Sequence, residues 1–448
     1  MQDKVCKTFV PGNIQLIAVK SGFYKRSSKM LPSKFFDILL NGASFNGQCS
    51  LGQLCSEASL THEVSITKQA LDDRFDETAV SFVKGILDEV LSNQIEAPLD
   101  DRFLEKFKKV KIKDATRFDL PKRLKEYFPG FGGQVTSEAG AAIQYEFDLK
   151  TRKLYDLDIT SALKNDIQDA KEKTDDIESG DLIIRDLGYF SSKVVNVIIE
   201  KEAFFLSRLR TKMDVFDENQ QEVCFKKLYG HMIKCNKTRH TMQATIGNKE
   251  QIPVRLFIEI ISEKVYQERI RKREKECKKK GNKMTEEFKA RARFTIMITN
   301  VPEEDLPVEN IYELYKTRWQ IELIFKTWKS IMGINNIHPM KYHRLMCLLY
   351  TKFILFLVNS QVAGLFAKKM YDQKQKLLSI NKSLKTLQIY FCKTREILTV
   401  HRMPLTDYIE KMYKLLSKNH WLEKRKNKVG FEEIFNIFLC KSIKYKYI

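Results

Sequence analysis

The stretch "YKTRWQIELIFKTWK", residues 315–329, constrains the fold of this chain most tightly. On a helix turning about 100° per residue with Tyr315 at zero, Arg318 falls near −60°, Glu322 near −20° and Lys329 near −40°. Four polar side chains therefore share one strip about 60° wide and four turns long. The rest of the circumference carries Leu314, Ile321, Leu323, Ile324, Phe325, Trp328 and Ile331. A helix apolar on most sides is buried, and a buried Glu with Arg and Lys needs partners. The bland solution is self-satisfaction, Glu322 pairing with Arg318 one turn away. The other is a site completed by acids from elsewhere in the chain.

The surrounding pattern supplies an α/β layer in which such a site can form. Residues 1–105 read as several helices, with 70–91 showing apolar residues at helical spacing. The pattern changes at "KKVKIKDATRF", where Val110 and Ile112 alternate with Lys and the strand is expected to end on Asp114. Strand-like runs follow at 141–149, 153–160, 181–186 and 204–209, with a helix after Asp186. Residues 211–262 are β-like with polar turns, 264–293 read as one basic helical stretch, and 294–302 as another strand. A helix is expected from Val308 to Met332, and 345–448 read as helical and basic. Strands mixed with helices in this order point to an α/β layer, not a bundle.

Charge narrows the partner. Against 57 Asp and Glu stand 78 Lys and Arg, a formal charge of +21, most simply explained by a polyanion such as nucleic acid. Thirteen Lys or Arg against five Glu lie between Lys264 and Arg293, an excess of eight that exceeds what pairing with Glu268, Glu274 and Glu276 requires. Nine Cys include no CxxC pair, and Cys224, His231 and Cys235 lack a second ligand pair for zinc, so reduced thiols in a cytoplasmic protein are expected. "MQDKVCKTFVPGN" has no apolar signal-peptide core. The most apolar run, from Leu345, is interrupted by Lys352, Asn359, Ser360 and Gln361, so a buried helix is expected there and no membrane partner.

Asp114 and Asp186 are each expected to end a short strand, where catalytic groups of open α/β sheets gather. With Glu322 they offer three carboxylates from separate segments, the hard oxygen donors that suit Mg²⁺ or Mn²⁺ together with phosphate oxygens. A pair of such ions about 3.5–4 Å apart would serve phosphodiester cleavage. Arg318 and Lys329 would then face a phosphate, joined by the hydroxyl of Tyr315.

The pattern Y-x2-R-x3-E-x6-K, here Tyr315, Arg318, Glu322 and Lys329, resembles the signature of the insertion-sequence-four family of DDE transposases. "KDATRFDLPKRLKEYFPGFGG" resembles that family's first catalytic-Asp region, placing it on Asp114, and "RDLGYF" resembles the second, on Asp186. The Arg318-Trp319 pair, the basic "RKREKECKKKGNK" and "FTIMITNVP" match in order, and the resemblance runs from about residue 70 to 345. It implies an RNase H-like catalytic core interrupted by a β-rich insertion and flanked by helical regions. The corresponding division is 1–105 (helical, DNA-binding), 106–210 (core, first part), 211–293 (insertion with the basic helix), 294–345 (core, second part) and 346–448 (helical, dimerising).

The resemblance further implies two Mg²⁺ (or Mn²⁺) ions on Asp114, Asp186 and Glu322, and cut-and-paste joining of terminal inverted repeats to target DNA. It also implies a homodimeric synaptic complex and a nucleoid-associated prokaryotic setting. DNA contacts are expected from Tyr315, Arg318, Trp319 and Lys329, and from Arg271, Lys272, Arg273, Lys278, Lys279 and Lys280 on the basic helix. Phe294 stands where many relatives have a Trp that stacks on a displaced base, so a stacking role is expected of it. Asp114-Ala115-Thr116 also departs from the Ser or Gly more usual after the first Asp. A non-catalytic DNA-binding derivative and a nuclease on the same fold are the competing readings. No helix-turn-helix signature marks which N-terminal helix reads bases.

Overall fold

The computed structural model describes residues 8–44, 49–94, 104–133, 136–151, 153–211, 213–374, 376, 378–390 and 405–421. The C-terminal "CKSIKYKYI" lies outside them. Nine strands form one mixed sheet: β1 (Val110–Leu120), β2 (Ala139–Asp148), β3 (Leu154–Ser161), β4 (Leu182–Arg185), β5 (Phe204–Arg208), β6 (Val215–Phe216), β7 (Arg239–Ile246), β8 (Ile252–Ile260) and β9 (Phe294–Thr299). Their spatial order is β3-β2-β1-β4-β5-β9-β8-β7-β6. β1, β4 and β5 run parallel in the middle, while the strands on either side are antiparallel. The strands between residues 215 and 260 thus continue the same sheet through β9.

Among the described residues, five α-helices precede the sheet: α1 (Pro11–Lys20), α2 (Pro32–Ser44), α3 (Leu51–His62), α4 (Lys68–Asp72) and α5 (Glu77–Ser92). The helix expected over 70–91 is broken into two, because Asp76 caps α5 by accepting from the Ala79 N–H. Within the sheet region come α6 (Asp166–Glu172), α7 (Ser192–Glu200), α8 (Phe225–Lys234), α9 (Glu263–Lys280) and α10 (Glu286–Ala292). The single basic helix expected over 264–293 is likewise two, separated where Gly281 turns left-handed at φ 67°. After β9 follow α11 (Val308–Lys316), α12 (Trp319–Thr327), a π-helical turn (Trp328–Met332), α13 (Tyr342–Lys374), α14 (Ile380–Ile389) and α15 (Leu405–Asn419).

Strand alternation sends successive side chains to opposite faces, and the two faces carry separate cores. Ile112, Ile184 and Leu206 face a core built with the N-terminal helices, Trp328 and α13, and that core reaches from Ile14 to Leu416. Ile183, Phe205, Leu256 and Ile298 face a second core covered by Ala170, Val194, Ile198 and Phe225. The apolar run from Leu345 forms much of α13, whose most apolar window is 78% buried against α2, α5 and their neighbours, as a core helix requires. Its Lys352 is buried too, and its ammonium donates to the carbonyls of Met332 (2.5 Å) and Ala43 (3.4 Å). Burial pulls the Lys352 pKa down to about 8.

Trp328 anchors the strip-bearing segment. It is fully buried, with its ring edge-on to Tyr145 (5.1 Å), Phe353 (5.1 Å) and Phe356 (5.6 Å) and tilted against Phe325 (5.3 Å). Truncating it opens a cavity between the sheet and α13. Trp328→Ala is expected to cost about 3–5 kcal/mol in urea unfolding, and Trp328→Phe clearly less.

Candidate active site

The parallel ladder between β1 and β4 ends with Lys113 opposite Arg185, so Asp114 and Asp186 are the next residues on adjacent strands. Asp186 follows its strand as expected. Asp114 does not end β1, which continues to Leu120 because β2 pairs with it antiparallel over ten positions. The acid therefore sits where β1 leaves its parallel neighbour but keeps its antiparallel one. Neighbouring strands lie about 4.8 Å apart, which brings the two aspartates side by side on one face.

The residues before them point to the other face and form a buried ionic row. Lys113 donates to Asp156 (2.7 Å) and Asp169 (2.6 Å), Arg185 to Glu146 (2.9 Å), and Lys111 pairs with Asp181 (2.8 Å). Burial works against the charges of Glu146 and Asp156, but Arg185 and Lys113 overcome it and hold both carboxyls below the usual range. The row fixes the floor on which the aspartates stand, since breaking a buried pair by removing one partner is strongly unfavourable.

The helix expected from Val308 to Met332 supplies the third acid, though not as one regular helix. At its middle the Thr317 hydroxyl and N–H both turn to the Leu314 carbonyl (2.6 and 3.1 Å), and the N–H groups of Arg318, Gln320 and Ile321 reach back three residues. This overwound turn separates α11 from α12. The π turn at the far end is underwound, and between the two defects the polar strip still faces β1 and β4. Tyr315 donates its hydroxyl to Asp186 (3.4 Å), Arg318 reaches the aspartates, and Lys329 donates to the Arg117 carbonyl (3.3 Å).

Arg318 is the centre of the arrangement. Its Nη1 donates to Asp114 (2.8 Å), its Nη2 to Glu322 (2.8 Å), and its Nε lies 3.9 Å from Asp186. Its side chain is only 7% exposed, against 43% for Asp186 and 51% for Glu322, so the acids line an opening with the guanidinium at its floor. Burial opposes the charge of Arg318, but Tyr315 and the three acids outweigh it and raise its pKa. Desolvation pushes Asp114 up to about 6 in spite of Arg318 and the Ala115 N–H.

In this structure the donors of Arg318 serve carboxylates. Among the described residues no three His, Cys, Asp or Glu stand together as a ready metal cage, and Arg318 pairs with two of the acids. The donor set itself fits a hard divalent cation, being three carboxylates already collected around one positive charge. Cys235 and His231 are 3.7 Å apart and likewise belong to no such cage.

Phe294, of which a stacking role is expected, is buried in this structure. It is 2% exposed at the start of β9, packed on Phe225 and Tyr229, since that strand face looks into the second core. Trp319, beside Arg318, is instead half exposed. On α9, Arg271, Lys272, Lys278, Lys279 and Lys280 are exposed, while Arg273 pairs with Glu276 (3.0 Å) and lies over the Phe288 ring (5.2 Å). Two participants were missed from the sequence. Arg208 stands over the Tyr315 ring (5.4 Å), and Arg117 is tied to Asp166 (2.6 Å) just beyond the site. Arg208 closes β5, whereas Arg117 lies within β1, where no local signal marks it.

Three carboxylates gather beyond the end of the β1–β4 parallel ladder and on a helix, a donor set that suits phosphoryl chemistry. Residues 105–358, more than half of the chain, match the family model "Transposase DDE domain". The chain belongs to that family and is a DDE transposase. Over 435 residues it is 29% identical to the transposase for insertion sequence element IS231B of Bacillus thuringiensis subsp. berliner, covering 93% of this chain and 91% of that one. It is 28% identical over 410 residues to the transposase for IS1151 of Clostridium perfringens, covering 88% and 86%. Among solved structures it is similar to the piggyBac transposase synaptic complex with hairpin DNA, at TM-score 0.44 and 11% identity, over 93% of this chain and 83% of that one.

The pKa of Asp114 gives a test of the floor. A carboxyl raised from 3.8 to about 6 binds its proton more tightly in the folded state. Its contribution to stability is complete below about pH 4 and is lost as pH rises through 6. In EDTA, Asp114→Asn is expected to be more stable than the parent at pH 8, by at most about 3 kcal/mol. The difference should vanish near pH 4, which paired thermal melts across pH would show.

Proposed function

We propose that this transposase cleaves the terminal inverted repeats of its insertion sequence and joins the 3′ ends to target DNA, as an insertion-sequence-four type enzyme. The observation that carries the reading is the gathering of Asp114, Asp186 and Glu322 around one cationic centre just beyond the end of the β1–β4 parallel ladder. The order β3-β2-β1-β4-β5 supports an RNase H-like core over 106–210 and 294–345. In this reading 211–293 is the insertion, 1–105 the DNA-binding region and 346–448 the dimerising one.

Asp114, Asp186 and Glu322 would hold Mg²⁺ or Mn²⁺, two ions in the full site, which supply the activated water or 3′-hydroxyl and neutralise the leaving oxygen. The chain's own groups do the rest. Trp328 and the ionic row under β1 and β4 keep the carboxylates from drifting. Lys329 offers an ammonium donor beside Glu322 for a phosphate of the bound strand, and the buried Tyr315 and Arg318 would join it once released from the acids. Trp319 offers an exposed ring for an unpaired base, and the exposed cations of α9 track the backbone of duplex DNA. Two copies, each with one site, would bring the two ends together.

The test is strand nicking of DNA carrying the element's own ends. Purified protein with Mg²⁺ or Mn²⁺ is expected to nick it, and Glu322→Ala to lower the rate by about a thousandfold with binding retained. Equal nicking by both proteins would sink the proposal, and binding without any nicking would favour the non-catalytic derivative. Replacing Lys278, Lys279 and Lys280 with Glu is expected to weaken binding evenly across sequences and to flatten its salt dependence by about one unit per lost phosphate contact.

A further inference from the structure

We propose that Arg318 is an internal counter-ion that competes with divalent metal for the three carboxylates, so that the DNA-free site admits metal only when the guanidinium leaves. The inference rests on the metal-ligand reading of Asp114, Asp186 and Glu322 and adds its regulation. Arg318 donates to the Asp114 and Glu322 oxygens that a metal would need, each at 2.8 Å. A guanidinium and a divalent ion cannot share them, because like charges a few ångströms apart in a poorly solvated floor repel strongly.

The counter-ion is also an imperfect fit. Nε makes no hydrogen bond and is 3.9 Å from Asp186, whose contact from the strip is the weak one with the Tyr315 hydroxyl. One positive charge faces three carboxylates, enough to hold the acids together but not to neutralise them. The opening beside Asp186 and Glu322 gives a cation or a phosphate access to the same floor. A phosphodiester that drew the guanidinium outward would uncover the oxygens beneath it. By linkage, metal and DNA would then each favour the other's binding.

The experiment titrates Mn²⁺ alone into full-length, DNA-free protein and counts free Mn²⁺ by electron paramagnetic resonance. Arg318→Gln is expected to bind Mn²⁺ about tenfold more tightly than the parent, whereas Arg318→Lys, which keeps the charge, stays within about threefold of it. Adding Asp186→Asn to Arg318→Gln should remove the gain, which locates the ion at the carboxylates. Unchanged or weaker binding by Arg318→Gln overturns the proposal, as does equal tightening by Arg318→Lys. Should Arg318→Gln lack a melting transition, Arg318→Met, which keeps the aliphatic stem, takes its place under the same criteria. Tighter Mn²⁺ binding in a protein that nicks no DNA would retire the transposition reading and leave the competition standing. Nicking by the parent without any tightening in the variants would do the reverse.

Discussion

The site depends on one stretch of backbone pairing, the short parallel ladder of β1 with β4. Its register places Lys113 against Arg185, and strand alternation does the rest. One step further along each strand, two aspartates emerge together on the face that α12 covers. One step back, two cations lock into Glu146, Asp156 and Asp169 on the opposite face. A slip of one residue would exchange the two sets, placing cations toward Glu322 and acids among carboxylates. The buried row is thus a register lock as much as a source of stability.

The helix over the sheet is shaped by its irregularities. A straight α-helix from Val308 to Met332 would hold the strip in line, and the overwound turn at Thr317 seats Arg318 as the first residue before α12. There its guanidinium enters the gap between the strands while Glu322, one turn later, remains at the surface. Trp328 then fixes the rotation of the segment against Tyr145, and Lys352 closes the π turn at the Met332 carbonyl.

Much of this was legible in the residues. The runs that became β2, β3, β5, β8 and β9 are bounded by turn residues, and Asp186 follows a run too short to be anything but a strand. The polar strip was visible from angles alone. Other features depended on long-range partners. The extension of β1 past Asp114 follows from pairing with β2, which no local pattern announces. Alternation at "VKIK" would put Lys111 and Lys113 in water, yet Asp181, Asp156 and Asp169 from distant segments bury them. Phe294 opens a strand in either an exposed or a buried setting, and only the packing of α8 decides between them. The turn at Thr317 carries neither Gly nor Pro, so nothing local marks it.

The clasp of Trp328 and Lys352 by α13 and its neighbours has a consequence for the order in which the molecule comes into being. Asp114 and Arg318 are 204 residues apart in the chain, and the rings that wedge Trp328 lie at Phe353 and Phe356. A nascent chain that has already made its whole central sheet still lacks the brace that seats Glu322. Contacts so distant in sequence form late and slowly. The seating of Glu322 beside the two aspartates therefore comes only after the long helix has been made and docked, and a truncated product would carry the acids without the means to align them.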